Sequence, residues 1–379
     1  MNAPLPEHIR QALETVSLDD KYALDQGRAF MSGVQALVKL PMLQRQRDAL
    51  QGKNTAGFIS GYRGSPLGGY DQALWKAKSY LQAQNIVFQP GVNEELAATA
   101  LWGTQQLGFA PPASRRFDGV FGIWYGKGPG VDRCSDVFKH ATMAGTTPWG
   151  GVMAVAGDDH VAKSSTAAHQ SDHIFKACGM PVFFPASVQD ILDMGVHALA
   201  LSRFAGVWSG MKTIQEVVES SSSIHIDPDR VQIVLPEDFV MPPGGLHIRW
   251  PDHALDQEAR LLREGIGATG YVRTATREGR GWRDVLRRPV LVARGEIYDA
   301  IRVALGERPA TGIVAGLAVG QLRAVLVDDA LHDDVEVLHA HMRIELAAAG
   351  VNIAGFYACP HHPEATLSAY RRDCACRKP

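Results

Sequence analysis

The sequence predicts an α/β fold built on a mostly parallel sheet, and three features predict it. Short apolar runs of strand length alternate with segments of helical period over roughly residues 30–203. The run Gly151–Ala156 is almost continuously apolar, as expected of a parallel strand buried on both faces. Finally, the strand expected at Thr55–Ser60 runs directly into a glycine-rich turn, Gly61–Gly69. In sheets of this class, loops at the carboxyl ends of the strands hold the ligands.

The elements follow in order. Phe30–Leu50 carries apolar residues at helical spacing, with Val34, Leu37, Val38 and Leu43 on one face and Pro41 producing a kink. After the glycine-rich turn, Asp71–Gln84 is expected to be helical and Ile86–Gln89 a strand. A helix starts near Asn93 and runs through Ala97, Ala100 and Leu101. Gly119–Trp124 is the next strand, followed by a glycine-rich loop and a helix near Asp136–Met143. Pro181–Phe184 reads as a further strand, and Ser187 is placed to cap a helix over Val188–Arg203.

At 379 residues the chain exceeds one ordinary core and implies two or three domains. Composition shifts after Val240, where Met241, Pro242, Pro243, Gly244 and Gly245 form a loop, and residues 258–287 are rich in Arg, Glu and Gly. The expected organisation is an amino-terminal extension over 1–26, a main domain over 27–257, a linker over 258–287 and a smaller α/β segment over 288–379. In that last segment, Val290–Val292 reads as a strand, Tyr298–Leu305 as a helix, Ala324–Val327 as another apolar stretch and Asp334–Ala349 as a helix.

A hydrophobic fraction of 46% with 21% charged residues excludes wholesale disorder. The net charge is −2 and Lys and Arg are scattered, so there is no electrostatic footprint for nucleic acid or an anionic membrane. Residues 1–20 lack the apolar core of a secretory signal, and no later run has the length of a membrane span. A cytoplasmic protein with a small-molecule ligand is the expectation.

Several residues carry candidate chemistry. Glu94 and Glu95 stand at an expected helix start, where the dipole alone favours them. Ser65–Pro66 lies in the glycine-rich turn. The serine hydroxyl is either a donor to a ligand oxyanion or part of a plain turn. Arg63 reads as a solvated loop arginine, although its fork matches a carboxylate. The spacing of Gly126, Lys127, Gly128 and Gly130 fits neither a Walker loop nor a dinucleotide fingerprint. Asp158, Asp159, His160, His169, Asp172 and His173 show no metal-ligand spacing and read as polar loop residues.

Four segments taken together carry a resemblance: Thr55–Gly69 (TAGFISGYRGSPLGG), Asn93–Trp102 (NEELAATALW), Trp124–His140 (WYGKGPGVDRCSDVFKH) and Ala156–Cys178 (AGDDHVAKSSTAAHQSDHIFKAC). In this order they resemble the amino-terminal part of the indolepyruvate ferredoxin oxidoreductases, thiamine-diphosphate-dependent 2-oxoacid oxidoreductases. The resemblance implies that residues 27–257 form the domain that binds the cofactor's aminopyrimidine. By motif match, Glu94 is the carboxyl group that holds the pyrimidine N1′ and favours the tautomer able to activate the thiazolium. Gly64, Ser65 and Pro66 are implied to lie beside the cofactor, with Ser65 near the reacting carbons. The family converts 3-indolylpyruvate or a related aryl 2-oxoacid to an acyl-CoA, with ferredoxin as electron acceptor.

Enzymes of this kind hold the diphosphate through magnesium on a second domain, usually with a Gly-Asp-Gly motif, and the sequence contains none. Nor does it group four cysteines in an iron–sulfur spacing. The resemblance therefore implies half a cofactor site, and a partner chain or domain supplying the diphosphate-binding and iron–sulfur parts in a homo- or hetero-oligomer.

The carboxyl-terminal region carries a second resemblance. Cys359 and His361 with Cys374 and Cys376 form a C-x-H and C-x-C pair that suits a tetrahedral Cys₃His zinc site. The flanking stretches His339–Ala349 (HAHMRIELAAA), Ile353–Pro363 (IAGFYACPHHP) and Asp373–Pro379 (DCACRKP) resemble heptose bisphosphate phosphatases of the haloacid dehalogenase superfamily. That family carries a structural zinc on this motif. Its catalytic Asp-x-Asp pair has no counterpart after Val290–Val292, where Ala293, Arg294, Gly295 and Glu296 follow.

Overall fold

The computed structural model describes residues 16–159, 167–237 and 239–278, together with Glu7 and Glu14. The chain divides into two units, Met1–Ala300 and Ile301–Pro379, and every described residue belongs to the first. The elements expected over 288–379, and with them Cys359, His361, Cys374 and Cys376, lie outside the described residues.

A short helix α1 (Asp20–Ala23) precedes β1 (Gly27–Ser32) and α2 (Gly33–Leu50). The helix expected from Phe30 thus begins three residues later. Ser32 and Gln35 form a reciprocal capping box: the Ser32 hydroxyl accepts from the Gln35 amide at 3.3 Å and the Ser32 amide donates to Gln35 Oε1 at 3.0 Å. Next come β2 (Thr55–Gly61), then α3 (Tyr70–Lys76) and α4 (Lys78–Ala83), two helices broken at Ala77 where one was expected. They lead through β3 (Ile86–Phe88), α5 (Glu94–Thr104) and β4 (Gly119–Lys127) to α6 (Gly128–Arg133). This last helix occupies part of the expected glycine-rich loop, with a proline in its first turn, where a missing amide costs nothing.

The chain continues with α7 (Ser135–Ala144), β5 (Val152–Asp158), α8 (Ser171–Ala177), β6 (Val182–Phe183) and α9 (Val188–Ala205). As expected, Ser187 caps α9, its hydroxyl accepting from the Asp190 amide at 3.2 Å. The remaining elements are β7 (Ser209–Ile214), α10 (Gln215–Val218), β8 (Ser221–Ile226) and α11 (Ala254–Glu278).

The fold is α/β. Six strands form a parallel sheet in the order β3-β2-β4-β5-β7-β6, and β1 pairs antiparallel with β8 in a separate ribbon. Side chains alternate across the sheet as the strand pleat dictates. On β5, Met153 and Val155 enter a core shared with α2 and α9, whereas Val152, Ala154 and Ala156 enter a second core with α5, α7 and α8. Two helical layers therefore cover the sheet, which explains the unbroken apolar run on β5.

Residues 258–278, read from composition as linker, belong to α11 and are part of this fold. Ala268 and Tyr271 on α11 are buried, and the Tyr271 hydroxyl lies 2.9 Å from His197 Nδ1 on α9. The buried Arg260 guanidinium pairs with Asp252 at 2.6 Å and donates to the carbonyls of Met143 (3.1 Å) and Ala144 (2.9 Å) at the end of α7. These are carbonyls that a helix terminus leaves without intrahelical donors. An arginine in a segment expected to be linker is here a helix cap.

Candidate active site at the carboxyl ends of β2, β4 and β5

From β2 the chain moves outward to the edge strand β3, then crosses back to β4 on the other side of β2. The carboxyl ends of β2 and β4 therefore flank the point where the winding direction reverses, the place where parallel sheets open a crevice for ligands. Backbone hydrogen bonds hold the loops there: Tyr62 N donates to Tyr125 O at 3.0 Å, and Gly91 N donates to Gly61 O at 2.9 Å.

Glu94 is the first residue of α5, and the N-cap Asn93 fixes that start by accepting from the Leu96 amide at 2.8 Å. Its backbone carbonyl accepts from the buried Trp124 indole at 3.0 Å, which ties the helix start to the middle of the sheet. The structure separates the two glutamates: Glu94 is 6% exposed, while the Glu95 side chain is 44% exposed. The Glu94 carboxyl lies against Gly130, where a β-carbon would meet Glu94 Cγ at 2.7 Å and Oε1 at 3.0 Å. Gly130 is thus a glycine because the Glu94 side chain fills the space. Among the described residues, the one ion-pair partner of Glu94 is Arg133, at 3.9 Å, and that arginine is 56% exposed and also reaches Glu95 at 3.6 Å.

The turn after β2 brings the other expected residues to the same edge. Gly64 lies under the stem of Lys127, whose Cδ would be 2.7 Å from a β-carbon there. Pro66 and Leu67 lie over Gly157 of β5, and the Ser65–Pro66 peptide is cis. Ser65 is half-buried, and its hydroxyl has no hydrogen-bond partner among the described residues. Arg63 is exposed. Gly64, Ser65 and Pro66 thus lie in the loop after β2, against Lys127 at the end of β4 and Gly157 on β5, while Glu94 lies at the start of α5 against Gly130.

Of the residues read from sequence as polar loop, Asp158 ends β5 and Asp172 and His173 lie on α8, and they form part of a polar group beyond β4 and β5. His169 packs on Gly128, with its Nδ1 2.9 Å from the Ala167 carbonyl and its Nε2 3.3 Å from Asp132. Asp158 accepts from the Ser171 amide (2.7 Å) and hydroxyl (2.5 Å), and Lys212 reaches Asp172 at 2.8 Å and Asp158 at 3.8 Å. Asp159 is 5% exposed, and neither carboxylate oxygen has a hydrogen-bond partner among the described residues. The sequence separations of 37 and 40 residues in the His169–Asp132 and Lys212–Asp172 pairs leave no local signal. Among the described residues, no group of three or more His, Cys, Asp and Glu is arranged to hold a metal ion.

The two described cysteines are free and buried. Burial pushes the Cys134 thiol well up, reinforced by the nearby carboxylates of Glu94 and Glu95. Burial likewise pushes the Cys178 thiol up to about 11. Both stay neutral near pH 7. Among the described residues, no helix is long and apolar enough to cross a membrane.

No family model matches this chain. Short stretches are similar to curated heptose phosphatases. The D-glycero-beta-D-manno-heptose-1,7-bisphosphate 7-phosphatase of Photorhabdus laumondii is 56% identical over 34 residues, 9% of this chain and 18% of that protein. The D-glycero-alpha-D-manno-heptose-1,7-bisphosphate 7-phosphatase of Mycobacterium tuberculosis is 39% identical over 64 residues, 17% of this chain and 26% of that protein. The chain thus spans about a fifth to a quarter of the length of these relatives. Among solved structures, a 2-oxoglutarate:ferredoxin oxidoreductase from Magnetococcus marinus is similar with a TM-score of 0.43 and 14% identity, over 63% of this chain and 44% of that one.

Proposed function

We propose that residues 27–257 supply the carboxylate half of a thiamine diphosphate site in a 2-oxoacid oxidoreductase, with an aryl 2-oxoacid such as 3-indolylpyruvate as substrate and ferredoxin as electron acceptor. The observation that carries this reading is the state of Glu94: buried at the crevice, seated on a glycine, and paired with one exposed arginine at 3.9 Å. A ring N–H donor fits a carboxylate in that condition, since burial strengthens the hydrogen bond and no competing donor occupies it. When bound, the cofactor supplies the carbon nucleophile and electron sink for decarboxylating a 2-oxoacid.

In this reading Glu94 holds the proton at the pyrimidine nitrogen, Gly130 leaves room for the carboxyl, and the Trp124 indole fixes the helix start that aims it. Ser65 donates to the oxygen on which charge develops. In this reading magnesium and the diphosphate are held by a partner chain or domain, the sequence given containing no Gly-Asp-Gly motif. The partner also carries the iron–sulfur centre, and the assembly is an oligomer working in the cytoplasm.

Calorimetric titration with thiamine diphosphate and Mg²⁺, in the presence of a diphosphate-domain chain, tests the reading. Wild type is expected to bind, and Glu94→Gln to bind at least about tenfold more weakly, the usual effect of losing a charge-assisted hydrogen bond. Equal binding by the two proteins removes Glu94 from the role. Failure of the wild type to bind sinks the proposal.

For the carboxyl-terminal region, we propose a closed structural zinc site on Cys359, His361, Cys374 and Cys376. The short similarities to heptose phosphatases favour it. With no Asp-x-Asp after Val290–Val292, the proposed role of this zinc is structural, and a heptose-bisphosphate-phosphatase-like hydrolase is the alternative reading of the region. Elemental analysis of the full chain is expected to find about one zinc per protein, lost in Cys374→Ser with Cys376→Ser. An unchanged metal content in that double variant rules the site out.

A further inference from the structure

Basic side chains near the crevice are not partnered alike. Arg133 is paired with Glu94 and Glu95, Lys212 with Asp172 and Asp158, and His169 with Asp132. Lys127 has no hydrogen-bond or ion-pair partner among the described residues, although it is half-buried at the last position of β4. Its stem is fixed, because it lies across Gly64, with Cβ, Cγ and Cδ between 2.7 and 3.0 Å of where a β-carbon would stand. That glycine immediately precedes Ser65.

The pleat of β4 settles which side of the sheet Lys127 belongs to. Phe121, Ile123 and Tyr125 enter the core shared with α2 and α9, and Lys127 continues that alternation at the strand end. On β5 the same alternation runs Met153, Val155, Gly157, and Pro66 and Leu67 cover Gly157. The ammonium therefore stands on the side of the sheet edge that carries the Ser65–Pro66 turn, whereas Glu94 belongs to α5 on the opposite face. Among the described residues, no carboxylate lies within ion-pair distance of Lys127.

From this geometry we infer that Lys127 is the residue that binds the carboxylate of the substrate, with Ser65 beside the adjacent oxo group. The inference deepens the functional reading above and rests on it for the identity of the anion as a 2-oxoacid. A half-buried lysine with no partner among the described residues has its donors free for an incoming carboxylate. The packing over Gly64 holds the lysine stem, so less rotamer freedom is lost on binding than for an exposed lysine. The placement also orders the substrate: its carboxylate lies on the Lys127 side and the reacting carbon points across the edge towards the Glu94 side.

Binding of phenylpyruvate to the full chain, measured by calorimetry for wild type, Lys127→Met, Lys127→Arg and Glu94→Gln, with inorganic phosphate as a second probe, tests the inference. Lys127→Met is expected to weaken phenylpyruvate binding at least about tenfold. Lys127→Arg keeps the charge and is expected to stay within about threefold, while Glu94→Gln leaves phenylpyruvate binding unchanged. Thiamine diphosphate binding, measured with a diphosphate-domain chain present, is expected to depend on Glu94. If thiamine diphosphate fails to bind but the Lys127 pattern holds, the cofactor reading falls and the carboxylate site stands. Three results overturn the inference: phenylpyruvate binding indifferent to Lys127→Met, no binding by the wild type, or Lys127-dependent binding of phosphate alone.

Discussion

Two buried carboxylates stand at opposite ends of the sheet and are partnered in opposite ways. Asp48, fully buried at the amino-terminal edge, receives the Arg203 guanidinium in a fork (2.6 and 2.8 Å), the Gln44 amide at 2.8 Å and the Thr55 hydroxyl at 2.6 Å. Arg203 spends its remaining donors on the carbonyls of Gly150 (2.9 Å) and Trp149 (3.2 Å). Glu94, at the carboxyl edge, has one ion-pair partner among the described residues, at 3.9 Å. A buried charge with every lone pair satisfied joins helices and strands into one arrangement, because removing any member leaves another charge uncompensated. A buried carboxylate with little around it contributes little to the fold and remains available to a ligand.

The sharpest way to break this contrast is to neutralise each carboxylate in turn and measure stability by denaturant unfolding. Asp48→Asn is expected to cost about 3–5 kcal/mol, since it strands a buried guanidinium. Glu94→Gln is expected to stay within about 1 kcal/mol, because its pair is long and half-open to solvent. Similar losses in the two variants erase the distinction between a structural and a functional carboxylate.

A second expectation concerns pH and the packing around the Asp48 end. Burial, with the Arg47 charge adding to it, lowers the His197 pKa from 6.5 to about 3. The folded protein therefore keeps this imidazole neutral where the unfolded chain protonates it. Stability contributed by the neutral ring is complete above the unfolded pKa and is lost as pH falls from about 6.5 towards 3. The unfolding free energy is expected to fall by roughly 1 kcal/mol per pH unit between about pH 6 and 4 from this group. His197→Gln is expected to flatten that slope, and an unchanged slope removes His197 as its source.

The smallest expected effect is at the ligand end. Gly130→Ala places a methyl group 2.7 Å from Glu94 Cγ, so the carboxyl must shift. A cost of about 1 kcal/mol in thiamine diphosphate binding is expected, roughly fivefold in affinity, with stability near that of wild type. Binding equal to wild type shows that the seat of Glu94 on Gly130 does not matter.

Local sequence carries much of this architecture. The alternation of strands and helices, the both-faces-buried β5, the Ser187 cap and the glycine-rich turn after β2 are all legible in it, because period, apolar runs and capping residues act over a few neighbouring positions. Motifs also pointed to Glu94 and Ser65. The rest depends on contacts distant in the chain. β7 escapes a pattern reading because Lys212 interrupts its apolar side chains, and that lysine is buried by pairing with Asp172 on α8. Residues 258–278 read as linker because they are rich in Arg, Glu and Gly, yet the charge of Arg260 ends inside the fold on two carbonyls of α7. The burial of Glu94 beside the exposed Glu95, the pairing of Arg133 and the lack of a partner for Lys127 among the described residues all depend on which strand ends become neighbours in the sheet. That order is set by long-range packing of helices on both faces, a property no local window of sequence contains.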